Sequence, residues 1–267
     1  MVHMGAAART RTAPLRLAFW VLIGASLTTL FVFGQPAPQA SPRPVLIELF
    51  TSEGCSDCPP ADTLLARLDR EQFVPGVQAI VLSEHVTYWN HDGWRDPFSM
   101  QEIDERQREY VYRFGLQDSY TPQAVVDGKT QIVGNSPNAM VQAVEQAGTA
   151  PKESLTILNA HWENGGVDFS VQANAGSAAK LEAALAEDAT RVEVASGENA
   201  GRTLQHVAVV RVLKDFGQKG LDGHTLHLSS PDLMHGADAK VPVRLVIFAT
   251  DRKTGHVIGV AEQTLSR

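Results

Sequence analysis

The sequence holds only two cysteines in 267 residues, Cys55 and Cys58, which argues against a disulfide framework joining distant segments. It lacks any basic excess. Its 23 Lys and Arg face 30 Asp and Glu, a formal charge of −7, so nucleic acid and anionic membrane surfaces are not expected partners. No internal repeat is visible, and the only biased tract is the short Pro/Ala/Gln/Ser stretch at 35–44. That leaves a globular chain long enough for two domains of ordinary size.

What the first 40 residues do contain is an export segment. Arg9, Arg11 and Arg16 form a basic start, Leu17 to Phe33 is apolar, and small residues suited to cleavage follow near Ala37 and Ala40. The apolar run is also close to the length of a membrane-spanning helix, so residues 1–40 read as a signal peptide or an N-terminal anchor. Either way the folded part is expected outside the cytoplasm, periplasmic or extracellular. Without the three arginines its formal charge falls from −7 to about −10. Two cysteines in an oxidising compartment usually form a structural disulfide. A spacing of only two residues argues otherwise, because so short a loop contributes little entropic stabilisation.

Residues 41–150 alternate strand and helix. Val45 to Phe50 and Val77 to Leu82 read as buried, mostly parallel strands, and Leu64, Leu65 and Leu68 as the apolar face of the helix between them. After a long loop, Val86 to Pro97, a Ser99–Glu102 capping box opens a second helix that Gly115 closes. Gln123–Val126 and Thr130–Val133 form a hairpin about Asp127-Gly128, and Ser136 with Pro137 caps a third helix. The order β-α-β-α-β-β-α with Cys55-Ser56-Asp57-Cys58 between first strand and first helix predicts an α/β thioredoxin-like domain. Residues 151–267 show only short, mostly alternating strands, predicting a following all-β antiparallel sandwich-like domain.

A CxxC pair at a helix start has its thiolate stabilised by helix amides and dipole. Cys55 is then the nucleophile and Cys58 the resolving thiol, the alternatives being an inert disulfide and metal binding. Asp57 and Pro59-Pro60 weaken that stabilisation, by like charge and by removal of two donors, which suggests a reductant or isomerase rather than a strong oxidase. Glu48, the one acid in an apolar strand seven residues before Cys55, is a candidate to carry protons for Cys58, or a strand-end glutamate held by backbone amides. Thr121-Pro122 stands where a thioredoxin fold carries its cis-proline, making Pro122 part of a peptide-binding edge. His85, at the carboxyl end of the second strand, either accepts a proton, joins Cys55 and Cys58 as a third ligand for copper as Cu(I), or is structural. Tyr88, Trp89 and Trp94 are expected to pack the long loop, and Arg106-Gln107 with Tyr110 to form a salt-bridged helix face.

The runs Glu48 to Asp62, His85 to Trp89, Gly93-Trp94, Asp96 to Phe98, Arg106-Gln107, Tyr120 to Gln123, Gly197 to Arg202 and Val209 to Arg211 closely resemble the bacterial secreted thioredoxin-like family catalogued as domain-of-unknown-function twelve-twenty-three. The resemblance implies a thioredoxin-like fold with a β-rich tail and no settled activity. Thr87 departs from it, standing where the family often has Asp. The expected function is an exported thiol-disulfide oxidoreductase that needs no cofactor and exchanges with protein thiols or disulfides. The alternatives are a Cu(I)-binding protein using Cys55, Cys58 and His85, and a binding module with a structural disulfide.

Overall fold

A strand that is apolar on both faces must be covered on both, and the first two strands of this chain are of that kind. In the computed structural model, which describes residues 41–91, 93–174, 176, 178–230, 233 and 241–265, β1 (Arg43–Thr51) is followed by helix α1 (Pro59–Glu71) and by β2 (Val77–His85). β1 and β2 pair in parallel from Arg43 opposite Val77 to Thr51 opposite His85. α1 buries Ala61, Leu64, Leu65 and Leu68. Helix α2 (Gln101–Phe114) follows and ends at Gly115, whose φ of 64° is free of strain only for a residue without Cβ. Its N-cap is Met100 rather than Ser99, whose hydroxyl instead donates to the Asp96 carbonyl. Strands β3 (Gln123–Val126) and β4 (Thr130–Val133) form the expected hairpin, with Asp127 and Gly128 both at positive φ. Helix α3 (Pro137–Gly148) closes this segment, with Ser136 at the N-cap but making no side-chain capping bond.

The second half contributes β5 (Leu155–Glu163), β6 (Gly166–Ala173), β7 (Ala179–Glu193), β8 (Thr203–Gly217), a 3-10 turn at Gln218–Leu221, β9 (Leu226–Ser229), β10 (Val243–Asp251) and β11 (Val257–Leu265). These strands do not make a separate sandwich. β8 lies beside β2, parallel to it at Ser83 and Val209, so one mixed sheet of eight strands runs β11-β10-β7-β8-β2-β1-β3-β4. The other three, in the order β5-β6-β9, form a small sheet. The expected thioredoxin-like domain followed by an antiparallel sandwich-like domain is therefore overturned. Strands of the second half complete the first half's sheet, and the described residues are mostly β with three α-helices. The physical reason lies in β2: its inner residues are buried throughout, β1 supplies one neighbour, and the other side is filled by β8.

One core joins β1, β2 and the helices to the inner residues Ala184, Ala186, Val246 and Phe248 of β7 and β10. The opposite residues of those two strands, among them Leu181, Leu185, Leu245 and Ile247, pack with Val167, Phe169 and Val171 of β6 in a second core. The segment expected to be a signal peptide or anchor, 1–40, lies outside the described residues. Among the described residues no helix is long and apolar enough to cross a membrane.

Candidate redox centre

The cysteine loop begins where β1 ends. A Cβ on Gly54 would lie 3.1 Å from the Trp89 Cβ, so the loop runs close against Trp89 there. The Cys55 amide donates to the Ser52 carbonyl at 3.2 Å, the Cys58 amide donates to the Cys55 carbonyl at 3.3 Å, and the two sulfurs are joined in a disulfide. Cys58 is the N-cap of α1. Pro59 and Pro60 have no N–H, and the next two amides, of Ala61 and Asp62, both bond the Cys58 carbonyl, at 2.8 and 3.1 Å. The first-turn amides that ordinarily stabilise a thiolate at such a position are thus absent or already taken. The sulfur-bearing residues are closed to solvent, Cys55 at 1% and Cys58 at 0% exposure, while Ser56 and Asp57 between them are exposed.

The turn between β7 and β8 packs against this loop. Residues 194–202 fold back on themselves through bonds between Val194 and Arg202 and between Gly201 and Val194. Their tip places Asn199, fully buried, against the cysteine loop. Asn199 Nδ2 donates to the Glu53 carbonyl at 2.8 Å and to the Cys55 carbonyl at 2.9 Å, and its Oδ1 accepts from Arg202 at 2.9 Å. Beside it the Ser56 amide donates to Glu198 Oε2 at 3.1 Å; hydrogen bonding from Ser56 holds this carboxyl below its usual range. The Ser196 hydroxyl donates to the Gly93 carbonyl at 2.5 Å.

Beneath this loop lies a buried ionisable network. The Glu53 amide donates to Asp96 Oδ2 at 2.8 Å, Glu53 Oε2 accepts from Trp94 Nε1 at 2.8 Å, and Glu53 Oε1 is 3.3 Å from His206 Nε2. The other nitrogen of His206 lies 3.7 Å from Asp62 Oδ2, and Asp62 Oδ1 accepts from the Thr51 hydroxyl at 2.9 Å. His85 Nδ1 is 2.7 Å from Asp96 Oδ2, and the His85 and His206 rings stand edge to face with centroids 4.6 Å apart. Burial opposes a charge on His206, but the Asp62 and Glu53 carboxylates outweigh it and push the imidazole up to about 10. Burial also works against ionisation of Asp96, yet His85 and the amides of Glu53 and Phe98 hold that carboxyl below its usual range.

The structure brings some of the predicted residues to this place and not others. His85 stands opposite Thr51 at the end of β2, as its position implied, but its imidazole is engaged by Asp96 and lies 3.4 Å from the Ser83 hydroxyl. The Thr121–Pro122 bond is cis, and Trp89 Nε1 donates to Thr121 Oγ1 at 2.7 Å. Pro122 and Ala61 of α1 both border Gly134. Glu48 is elsewhere. Thr51 and Leu49 face α1, whereas Glu48 faces α2 across the sheet, bonded to Arg106 Nε and, at 2.6 Å, to the Tyr110 hydroxyl. There Arg106 also meets Glu182 at 2.8 Å and Glu84 at 3.8 Å, so the expected salt-bridged helix face points inward. Burial, then the charge of Glu48, drives the Glu84 carboxyl well above its usual range. Thr87, the departing residue, bonds Asp104 through its amide at 2.8 Å and through its hydroxyl. Among the described residues no group of three His, Cys, Asp or Glu side chains is arranged to hold a metal ion.

Reading the sequence missed Glu53, Asp62, Asp96, Asn199 and His206 as parts of one site. The available signal was the family resemblance, whose runs Glu48 to Asp62, Asp96 to Phe98 and Gly197 to Arg202 hold all of these but His206, without indicating that they meet. A comparison with known families matches residues 46–246 to the family described as Protein of unknown function (DUF1223). The chain belongs to that family. The DUF1223 match takes in the cysteine loop, the buried network and the turn between β7 and β8 together. A search of curated proteins finds no match. Among solved structures, a crystal structure of an Agrobacterium tumefaciens protein is similar, with 22% identity, a TM-score of 0.60, and coverage of 86% of this chain and 96% of that one. That likeness concerns the fold alone.

Proposed function

We propose that the protein is an exported thiol-disulfide oxidoreductase that exchanges with protein thiols through Cys55 and Cys58. The observation that carries the reading is the place of the pair: a disulfide closing at the N-cap of α1, directly after a central strand, with buried acids and imidazoles tied to the same loop. In the reduced protein the Cys55 thiolate attacks a partner disulfide, one partner sulfur leaves as thiolate and takes a proton, and a mixed disulfide forms at Cys55. Cys58, giving up its proton, then attacks Cys55 Sγ, expelling the second partner sulfur and restoring the Cys55–Cys58 bond. Two electrons pass to the partner, and the two thiol protons balance those it gains. With no free amide in the first turn of α1 and Asp57 beside the pair, the thiolate gains little stabilisation. The disulfide is accordingly the favoured form, and the direction is reduction of partners.

A second reading has one specific observation behind it: both cysteines are closed to solvent, as a structural disulfide would be. Equilibration of the native protein with glutathione buffers, read by mass spectrometry, separates the two. Reversible gain and loss of two hydrogens, with Cys58→Ser trapping mixed disulfides through Cys55, is expected for exchange. A pair that changes state only in denaturant establishes the structural reading. Copper binding by Cys55, Cys58 and His85 has less support, because among the described residues these side chains are not grouped as a metal site. On the exchange reading the wild type binds Cu(I) no more tightly than an ordinary dithiol.

A further inference from the structure

We infer that Asn199 is a positioning residue for exchange at Cys55, and that the turn 194–202 it anchors is a latch a reacting sulfur must displace. This rests on the reading of the pair as exchangeable. A carboxamide offers two N–H donors and one acceptor oxygen, and all three functions of Asn199 are used: the Glu53 and Cys55 carbonyls receive its amide, and Arg202 donates to its oxygen. It does so with no solvent exposure. The other attachments of the turn, Glu198 to Ser56 and Ser196 to Gly93, are exposed and compete with water.

The hold is therefore concentrated on one side chain, and that side chain grips the backbone of the cysteine itself. The Cys55 carbonyl accepts from the Cys58 amide as well as from Asn199, so the conformation of the disulfide loop and the seating of the turn are coupled. No other side chain replaces Asn199 without loss. Aspartate has the same size and no donor, and would set its oxygens against two carbonyls, while glutamine is one methylene too long for a buried site.

The test is the rate at which tris(2-carboxyethyl)phosphine reduces the native disulfide. The phosphine attacks sulfur, the S–S bond breaks, and water supplies the oxygen of the phosphine oxide and the two thiol protons, so no biological partner is needed. Asn199→Asp and Asn199→Ala are expected to raise the native rate at least tenfold, with the rate in denaturant unchanged. Glu198→Gln is expected to raise it less than threefold. A native rate in Asn199→Asp equal to wild type overturns the inference.

Should the variants fail to fold, hydrogen exchange of the wild type decides. Reduction is expected to deprotect the amide of Gly201 while β7 and β8 stay protected, and equal protection in both redox states overturns the latch. The two readings fail differently. Faster phosphine reduction in Asn199→Asp with no mixed disulfide to protein thiols leaves the latch standing and removes the oxidoreductase. Ready glutathione exchange with no effect of Asn199 does the reverse.

Discussion

Two of the buried ionic clusters lie on opposite faces of the sheet, and they meet the cost of burying charge by different means. Facing α2, Glu48, Glu84 and Glu182 surround the single guanidinium of Arg106. Facing α1, Glu53, Asp62 and Asp96 surround the imidazoles of His206 and His85. Arginine cannot give up its proton in a protein, so the first cluster has a fixed cation, and burial together with the charge of Glu48 drives the Glu84 carboxyl well above its usual range. Imidazole can, and in the second cluster His206, pushed up to about 10, gives up its proton as pH rises toward that value. The cluster with the titratable cation is the one joined to the cysteine loop, and the one with the fixed cation is separated from it by the sheet. Fixed charge serves the fold, and movable charge lies where sulfur chemistry is proposed.

Removing the cation breaks the first cluster most severely. Arg106→Met leaves Glu48 and Glu84 with no cation beside them and Glu182 with Lys180 alone, at 3.3 Å, and a loss of about 3–5 kcal/mol is expected in denaturant unfolding. A loss under about 1 kcal/mol would mean that the acids neutralise themselves by protonation. His206→Gln tests the second cluster, with an expected loss of roughly 2–3 kcal/mol at neutral pH. Its more telling effect is on pH dependence. The folded His206 is pushed up to about 10 from 6.5, so its stabilisation is complete below 6.5 and is lost as pH rises toward 10. Urea midpoints of the wild type should fall across that window and those of His206→Gln should fall less. A wild-type profile that is flat there removes the imidazolium from the argument.

Smaller changes sharpen the contrast. Glu48→Gln keeps an acceptor for Tyr110 but loses its charge toward Arg106, for about 1–2 kcal/mol. Since it lies across the sheet, the pH profiles of Cys55 and Cys58 alkylation in the reduced protein are expected to be unchanged. A shifted Cys58 profile would put Glu48 back in the proton path. Trp94→Phe removes one hydrogen bond to Glu53, for about 1 kcal/mol. It should also reduce the His206-dependent slope slightly, which chemical-shift titration of the imidazole can follow.

How far the sequence could reveal this depends on the range of the interactions. The elements of residues 43–148 were readable because each announces itself locally: a doubly apolar strand, a leucine face, Gly115 after a helix, Asp127-Gly128 in a hairpin. Leu181 to Leu185 was readable as strand for the same reason. Nothing local says that β8 will sit beside β2, since that pairing joins residues as far apart as Ser83 and Val209. The site was half legible on the same grounds. Cys55 and Cys58 are three positions apart and carry a known spacing, whereas His206 or Asn199 alone is an ordinary polar residue in a β-rich segment. Glu48 was misplaced because alternation along a strand says that a side chain is buried and not against which face.

The β2–β8 junction also bears on the order in which the molecule can be assembled. Non-local pairing is slow to form, because the loop must close before contacts reward it. Until the C-terminal strands dock, β2 is a bare sheet edge and therefore a template for misassembly. The cysteine loop is complete by residue 58, but Asn199 reaches it across 144 positions of chain. During synthesis the two sulfurs therefore meet their surroundings before the turn that carries Asn199 exists. A fragment ending at Ala150 would keep the pair in that early, open condition and would carry an unprotected edge prone to aggregation.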